Sequence, residues 1–251
     1  MREGTPYLSL VVPAFDEIGI IRRPVEIATA FLDDQAFSSE FIVIDDSGRR
    51  APVDEVSAGA ARWPSVRVLV NERNCGTGYS VRRGMLASSG VAAAFLDADL
   101  AQPVGALPSF LAAIDREADV ALGRRRAPEG TSVVRRLASA SFGVLARSVL
   151  GLPFRDTQCG MKAFRGDAAR RLFAAQRVDG FAFDAELLAI AFRWGLRVEE
   201  VPIDIEVRST STVRLAHDGR RMLGDLLRVR SAIARGDYDR PRQYASRSST
   251  V

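Results

Sequence analysis

Short apolar runs alternate with stretches of helical period along the first half of the chain. Leu8 to Pro13, Phe41 to Ile44, Val66 to Val70, Val91 to Leu96 and Asp119 to Leu122 read as buried strands. Ile18 to Leu32 reads as a helix, and a second helix runs from the glycine-rich turn Cys75–Gly78 to about Ser89. This alternation predicts an α/β fold, a mostly parallel sheet flanked by helices and joined by right-handed crossovers. The strands' C-terminal ends then share one rim. Asp16-Glu17, Asp45-Asp46 and the pair Asp97 and Asp99 fall on that rim, where open α/β sheets take their ligands.

The second half is less regular. Ser132 to Leu150 and Phe183 to Trp194 read as helices, Asp156 to Phe164 as a loop or short strand, and Val198 to Val207 as a strand. A long amphipathic helix is expected from Leu215 to Ala234. The expected organisation is one domain over residues 1–236, with 1–125 holding a nucleotide-sugar and 126–236 forming the acceptor half. An Arg-, Ser-, Asp- and Pro-rich tail over 237–251 is expected to be disordered.

Composition narrows the chemistry. The chain has 251 residues, 47% of them hydrophobic, enough for one sizeable core. No apolar stretch reaches the roughly 18–20 residues that span a bilayer. The N-terminus runs almost directly into a strand, so no secretory leader is expected. The expected location is cytoplasmic, peripheral on the cytoplasmic face of a membrane. Cys75 and Cys159 form neither a metal pattern nor a disulfide framework, and His217 is the only histidine. A histidine-based triad is thereby disfavoured. The net charge is +4, and Lys162 is the only lysine among 35 basic residues. Arginine's planar fork suits phosphate, so anionic partners are expected. No nucleic-acid-binding signature is present.

Several segments carry candidate chemistry, each with a plainer alternative. Asp97 and Asp99 end the Val91–Leu96 run; they either cap a turn or hold one divalent cation on a diphosphate. Pro13-Ala14 with Asp16-Glu17 ends the first strand, as a simple turn or as a base-reading edge. Asp45-Asp46-Ser47-Gly48 is an Asx-turn or an acceptor for a base N–H or ribose hydroxyl. Arg73-Asn74-Cys75-Gly76-Thr77-Gly78 precedes a helix, whose N-terminal amides favour an anion. Arg124, Arg125 and Arg126 follow the fifth strand, as a solvated loop or as phosphate contacts. Asp184 and Glu186 open a helix; they serve its dipole, or Asp184 faces an acceptor.

Together, VVPAFDE (11–17), IDDSG (44–48), RNCGTG (73–78), DADLAQP (97–103), DTQCGMKAF (156–164), FAFDAELL (181–188) and EVPI (200–203) resemble the inverting family-two glycosyltransferases of GT-A fold. The resemblance extends to the branch that loads glucose or mannose onto dolichyl or other polyprenyl phosphates. DTQCG-x-K-x-F with a following FDxELL is the specific part; Asp-Ala-Asp is common to many glycosyltransferases.

The resemblance implies roles for individual residues. Pro13, Ala14, Glu17 and Asp46 would hold base and ribose, with Asp45 nearby, and Asn74 and Gly78 would line the nucleotide pocket. Asp99, with Asp97, would hold magnesium or manganese. Gln102 would stand beside the donor, and Arg124 or Arg125 would neutralise phosphate. Arg208 and Arg214 have the spacing of a phosphate clamp, in a glycine and serine setting unlike that of the mannosyl members. The implied reaction moves a sugar from a UDP- or GDP-sugar to a polyprenyl phosphate. That acceptor is already an anion, with a second pKa of about 6, and needs positioning more than a general base. Arg-bearing apolar helices at 132–150 and 215–234 suit a membrane surface. A soluble acceptor, with Asp184 as its base, is the alternative; a non-catalytic nucleotide-binding module is a further one. A nucleotide-sugar pyrophosphorylase is disfavoured, because Ala14-Phe15-Asp16 is no glycine-rich, lysine-bearing loop.

Overall fold

The computed structural model describes residues 4–14, 22–48, 66–98, 103–126, 143–204 and 215–239. Its elements run β1 (Leu8–Ala14), α1 (Arg22–Asp33), β2 (Ser39–Asp45), β3 (Val66–Val70), α2 (Thr77–Ala87), β4 (Ala92–Leu96), α3 (Leu107–Asp115) and β5 (Val120–Arg126). Then come α4 (143–150), β6 (Met161–Arg165), α5 (Gly166–Ala175), α6 (Phe183–Arg193), β7 (Val198–Asp204) and α7 (Leu215–Ala234).

The seven strands form one sheet in the order β3-β2-β1-β4-β6-β5-β7. β1, β2, β3 and β4 are mutually parallel, and β5 is parallel to β7. β6 is antiparallel to both neighbours, so the sheet is mixed. The expectation that every strand ends on one rim therefore fails at β6, which begins there. Leu96 at the end of β4 pairs with Met161 at the start of β6. That inversion carries 156–161 to the foot of the Asp97 segment.

Alternating side chains divide the core into two layers, as strand geometry requires. Leu8, Leu10 and Val12 of β1 pack with Val25 and Ala28 of α1 and Leu107 and Phe110 of α3. Val11, Ile42, Ile44 and Phe95 face the other side, against α2, α5, α6 and α7. β4 reads Ala-Ala-Ala-Phe-Leu and is wholly buried, as strands covered on both faces are. Pro108 in the first turn of α3 presets helical φ.

Most predicted elements are present, and the differences are instructive. β5 continues to Arg126 because β7 pairs with it throughout, setting Arg124 opposite Pro202 and Arg125 opposite Ile203. The three arginines thus belong to a strand end, not to a loop after it. α3 and α5 were not singled out by the pattern. Within the tail expected to be disordered, Tyr238 is buried: it is 3% exposed, and its carbonyl accepts from Trp194 Nε1 at 2.8 Å.

Candidate active site

β1 and β2 stay in register to Ala14 opposite Asp45, whereas β1 and β4 pair only as far as Val11 opposite Phe95. Strand order turns at β1, with β2 on one side and β4 on the other. The crevice beyond this point is where α/β sheets bind ligands. Pro13 and Ala14 stand on its lip, and the Ala14 carbonyl accepts from Asp46 N at 2.8 Å.

Asp45 and Asp46 are adjacent, buried and differently employed. Asp45 Oδ1 accepts from Ser47 N at 2.9 Å, the expected Asx-turn. Its Oδ2 is buried with no partner among the described residues. A buried carboxylate oxygen without a donor is costly. Asp46 is filled by the protein. It takes Asn71 Nδ2 at 2.7 Å and Cys75 N at 2.8 Å on Oδ1, and Gly76 N at 2.9 Å on Oδ2. Asp46 therefore fixes the turn before α2, whereas the resemblance set it beside the ribose. Asn74 is exposed on that turn, its Oδ1 accepting from Gly76 N at 3.0 Å. Gly76 has φ 98°, a left-handed conformation that side chains rarely adopt. Gly78 is buried under 178–183, where an added Cβ would lie 2.6 Å from the Val178 carbonyl oxygen. Its place in this structure is a packing contact, on the inner side of the turn.

Asp97 leaves β4 half-buried, its N–H donating to the Gly160 carbonyl at 3.2 Å. A Cβ on Gly160 would lie 1.6 Å from Asp97 Oδ2, so only glycine leaves room for this carboxylate. Beside it, Arg125 makes a bidentate bond to Asp156, Nε to Oδ2 at 2.7 Å and Nη2 to Oδ1 at 2.9 Å. Burial pushes the Asp156 carboxyl up, but the bond and charge of Arg125 outweigh it and hold the group below the usual range. Arg125 also feels the charge of Asp97. Arg124, half-buried, precedes it on β5.

Beneath lies the chain's single lysine. Lys162 is 0% exposed; its Nζ donates to Asp184 Oδ1 and to the Cys159 carbonyl, each at 2.6 Å, and lies over the Phe95 ring. Burial pushes the Asp184 carboxyl up, and the Lys162 ammonium opposes that rise. Burial likewise pushes the Cys159 thiol up to about 12, leaving an inert packing group. Asp184 is thus paired inward, 8% exposed.

The structure sets Pro13, Ala14, Asp45, Asp46, Asn74, Asp97, Arg124 and Arg125 along one rim, with Asp184 buried beneath it. Glu17, Asp99, Gln102, Arg208 and Arg214 lie outside the described residues. Sequence reasoning assigned no role to Asp156 or Lys162, and only a place in the helix dipole to Glu186. A lone lysine in an arginine-rich chain was the one available signal for the buried pair. Among the described residues no cluster of three metal-binding side chains forms. Asp97 supplies a hard oxygen donor at the crevice, the ligand type magnesium and manganese take.

Comparison with known proteins gives a consistent result. The family described as glycosyl transferase family 2 matches residues 9–173. A dolichyl-phosphate beta-glucosyltransferase of Trichomonas vaginalis is 30% identical over 234 residues, covering 84% of this chain and 69% of that protein. One from Saccharomyces cerevisiae is 28% identical, covering 92% of this chain and 76% of its own length. Among solved structures, glucosyl-3-phosphoglycerate synthase of Mycobacterium tuberculosis superposes with a TM-score of 0.65 at 21% identity. It matches 90% of this chain and 81% of that chain, a likeness of fold.

Proposed function

Since the chain belongs to glycosyl transferase family 2 and has its GT-A fold, we propose that this glycosyltransferase moves glucose from a nucleoside diphosphate to a polyprenyl phosphate, with inversion. One observation carries the reading. β6 runs backwards, so the DTQCGMK segment lies under Asp97 and joins the acceptor half to the donor carboxylate. The dolichyl-phosphate glucosyltransferases among its relatives support the acceptor and the sugar.

In this reading the base sits at the crevice by β1 and β2, where Asp45 Oδ2 accepts a ring N–H. The 74–78 turn, its Cys75 and Gly76 amides already held by Asp46, lines the nucleotide pocket through Asn74. A phosphate oxygen of the lipid attacks C1 of the sugar. The new C1–O bond forms as the bond to the diphosphate breaks, and the departing nucleoside diphosphate takes the electron pair. Asp97 and Asp99 would hold a magnesium or manganese ion, which supplies charge neutralisation for that group. Arg124 adds positive charge at the rim, next to Arg125, which is paired with Asp156. The acceptor is already ionised, so no side chain must remove its proton. Asp184, tied to Lys162, orients the floor of the site instead. Arg208, Arg214, Glu17 and Gln102 complete the donor contacts.

The lipid implies a surface to reach it from. α4, the turn before α6, and α7 meet at Ala146, Ala182 and Leu226. Around that junction Val144, Leu145, Phe181, Leu223 and Leu227 are exposed. Leu226 belongs to the core, so α7 offers less apolar surface than its sequence promised. No helix among the described residues is long and apolar enough to cross a membrane. In this reading the exposed residues rest on the cytoplasmic face of a membrane, and flotation with anionic liposomes at low salt checks it.

Labelled UDP- and GDP-sugars, offered with a polyprenyl phosphate and magnesium or manganese, test the donor. Label from one glucosyl donor in the organic phase is expected. Hydrolysis without transfer would contradict the reading.

A further inference from the structure

The helix α6 carries a second buried carboxylate that the reaction above does not use. Glu186 is 0% exposed. Its Oε1 accepts from Arg177 N at 2.8 Å and from the Tyr238 hydroxyl at 2.5 Å, and its Oε2 accepts from Val178 N at 2.9 Å. One carboxylate therefore fixes two successive amides of the loop between α5 and α6 and the final described turn of the chain.

That loop is pressed against the glycine-rich turn on the donor side. The Asp179 carbonyl accepts from Tyr79 N at 3.2 Å. Gln176 Nε2 bridges the carbonyls of Gly78 and Val178, at 2.9 and 2.8 Å. Arg82 of α2 reaches back to Asp179 at 2.9 Å and to the Gln176 carbonyl at 3.2 Å. The fit admits no side chain at the turn: a Cβ on Gly76 would lie 2.4 Å from the Asp179 carbonyl oxygen. The turn 74–78 is thus clamped on one side by Asp46 and on the other by residues 176–180.

We propose that Glu186 and Tyr238 form a latch through which the turn after α7 positions the glycine-rich turn of the donor site. Both are positioning residues; neither touches the donor. The Tyr238 hydroxyl is the part of the latch that can be removed cleanly. Its ring packs under the Arg177 guanidinium, and its carbonyl keeps the bond from Trp194, whichever residue stands there. The role rests on the donor-site reading of 74–78, so the test separates the two.

Tyr238→Phe and Glu186→Gln are made in the full chain. Amide hydrogen exchange at 75–79 is followed first, with β1 amides as the internal reference. The latch predicts exchange at 75–79 faster by about tenfold in Tyr238→Phe, with β1 unchanged. It also predicts donor Kd and KM raised about fivefold, with acceptor KM and kcat within about twofold of wild type. Unchanged exchange at 75–79 in folded Tyr238→Phe overturns the latch, as does equal loss toward donor and acceptor. If the wild-type protein binds no nucleoside diphosphate sugar, the donor-site reading fails, and exchange still decides the latch. Should Glu186→Gln not fold, Tyr238→Phe decides alone.

Discussion

The two halves of the sheet solve the same problem with different chemistry. In the donor half, β1 to β4 run parallel and carboxylates meet backbone amides: Asp45 caps its own turn, and Asp46 holds Cys75 and Gly76. In the acceptor half β6 runs backwards, and carboxylates meet cations: Asp156 with Arg125, Asp184 with Lys162. The first arrangement leaves one buried acceptor, Asp45 Oδ2, without a partner among the described residues. The second balances each acid with a cation, so the floor beneath Asp97 carries no net charge from these two pairs. The donor half thus recognises; the acceptor half holds a floor still beneath Asp97.

The sharpest way to break this contrast is to unpair the buried cation's partner. Lys162→Met leaves Asp184 uncompensated and is expected to cost about 3–5 kcal/mol of stability, measured by urea unfolding. Adding Asp184→Leu should restore most of it. If the single variant is as stable as wild type, the floor does not depend on the pair.

Next in size is the donor carboxylate pair. Asp99→Ala, or Asp97→Asn, should lower kcat by about 10²–10³ while the fold is kept, since only charge stabilisation of the leaving group is lost. Undiminished transfer would remove both residues from the chemistry. Gly160→Ala sharpens the same point from the other half. Its methyl would displace the Asp97 carboxylate, and activity should fall by about tenfold or more with little change in donor affinity.

A smaller effect separates the two kinds of carboxylate by pH. Asp156 is held below its ordinary range in the fold, so its contribution is complete above the unfolded value of about 3.9 and is lost as pH falls through the folded one. Asp156→Asn should therefore be less stable than wild type near neutrality, and the gap should close below about pH 4. A gap independent of pH would deny the Arg125 pairing.

The donor half was largely legible in sequence because each strand is a short apolar run ending in a turn signal, and its register follows from alternation. The acceptor half was less so. β6 gives the same apolar signature whether parallel or antiparallel, so Met161 to Arg165 could not reveal its direction. Lys162 is the second residue of that strand, and nothing local announces that it is buried against Asp184, 22 positions away in sequence. Asp46 shows a converse ambiguity. It holds the turn before α2, a role its motif did not announce, because acceptors for backbone amides and for hydroxyls have the same chemistry. Tyr238 was obscured by composition: a polar tail concealed one buried ring.

The most direct measurement offers the wild-type protein one labelled glucosyl donor and three acceptors in parallel, a polyprenyl phosphate, the matching polyprenol and a soluble saccharide. The account predicts labelled product with the lipid phosphate and none with the alcohol. Equal or greater transfer to the polyprenol or the saccharide would contradict it.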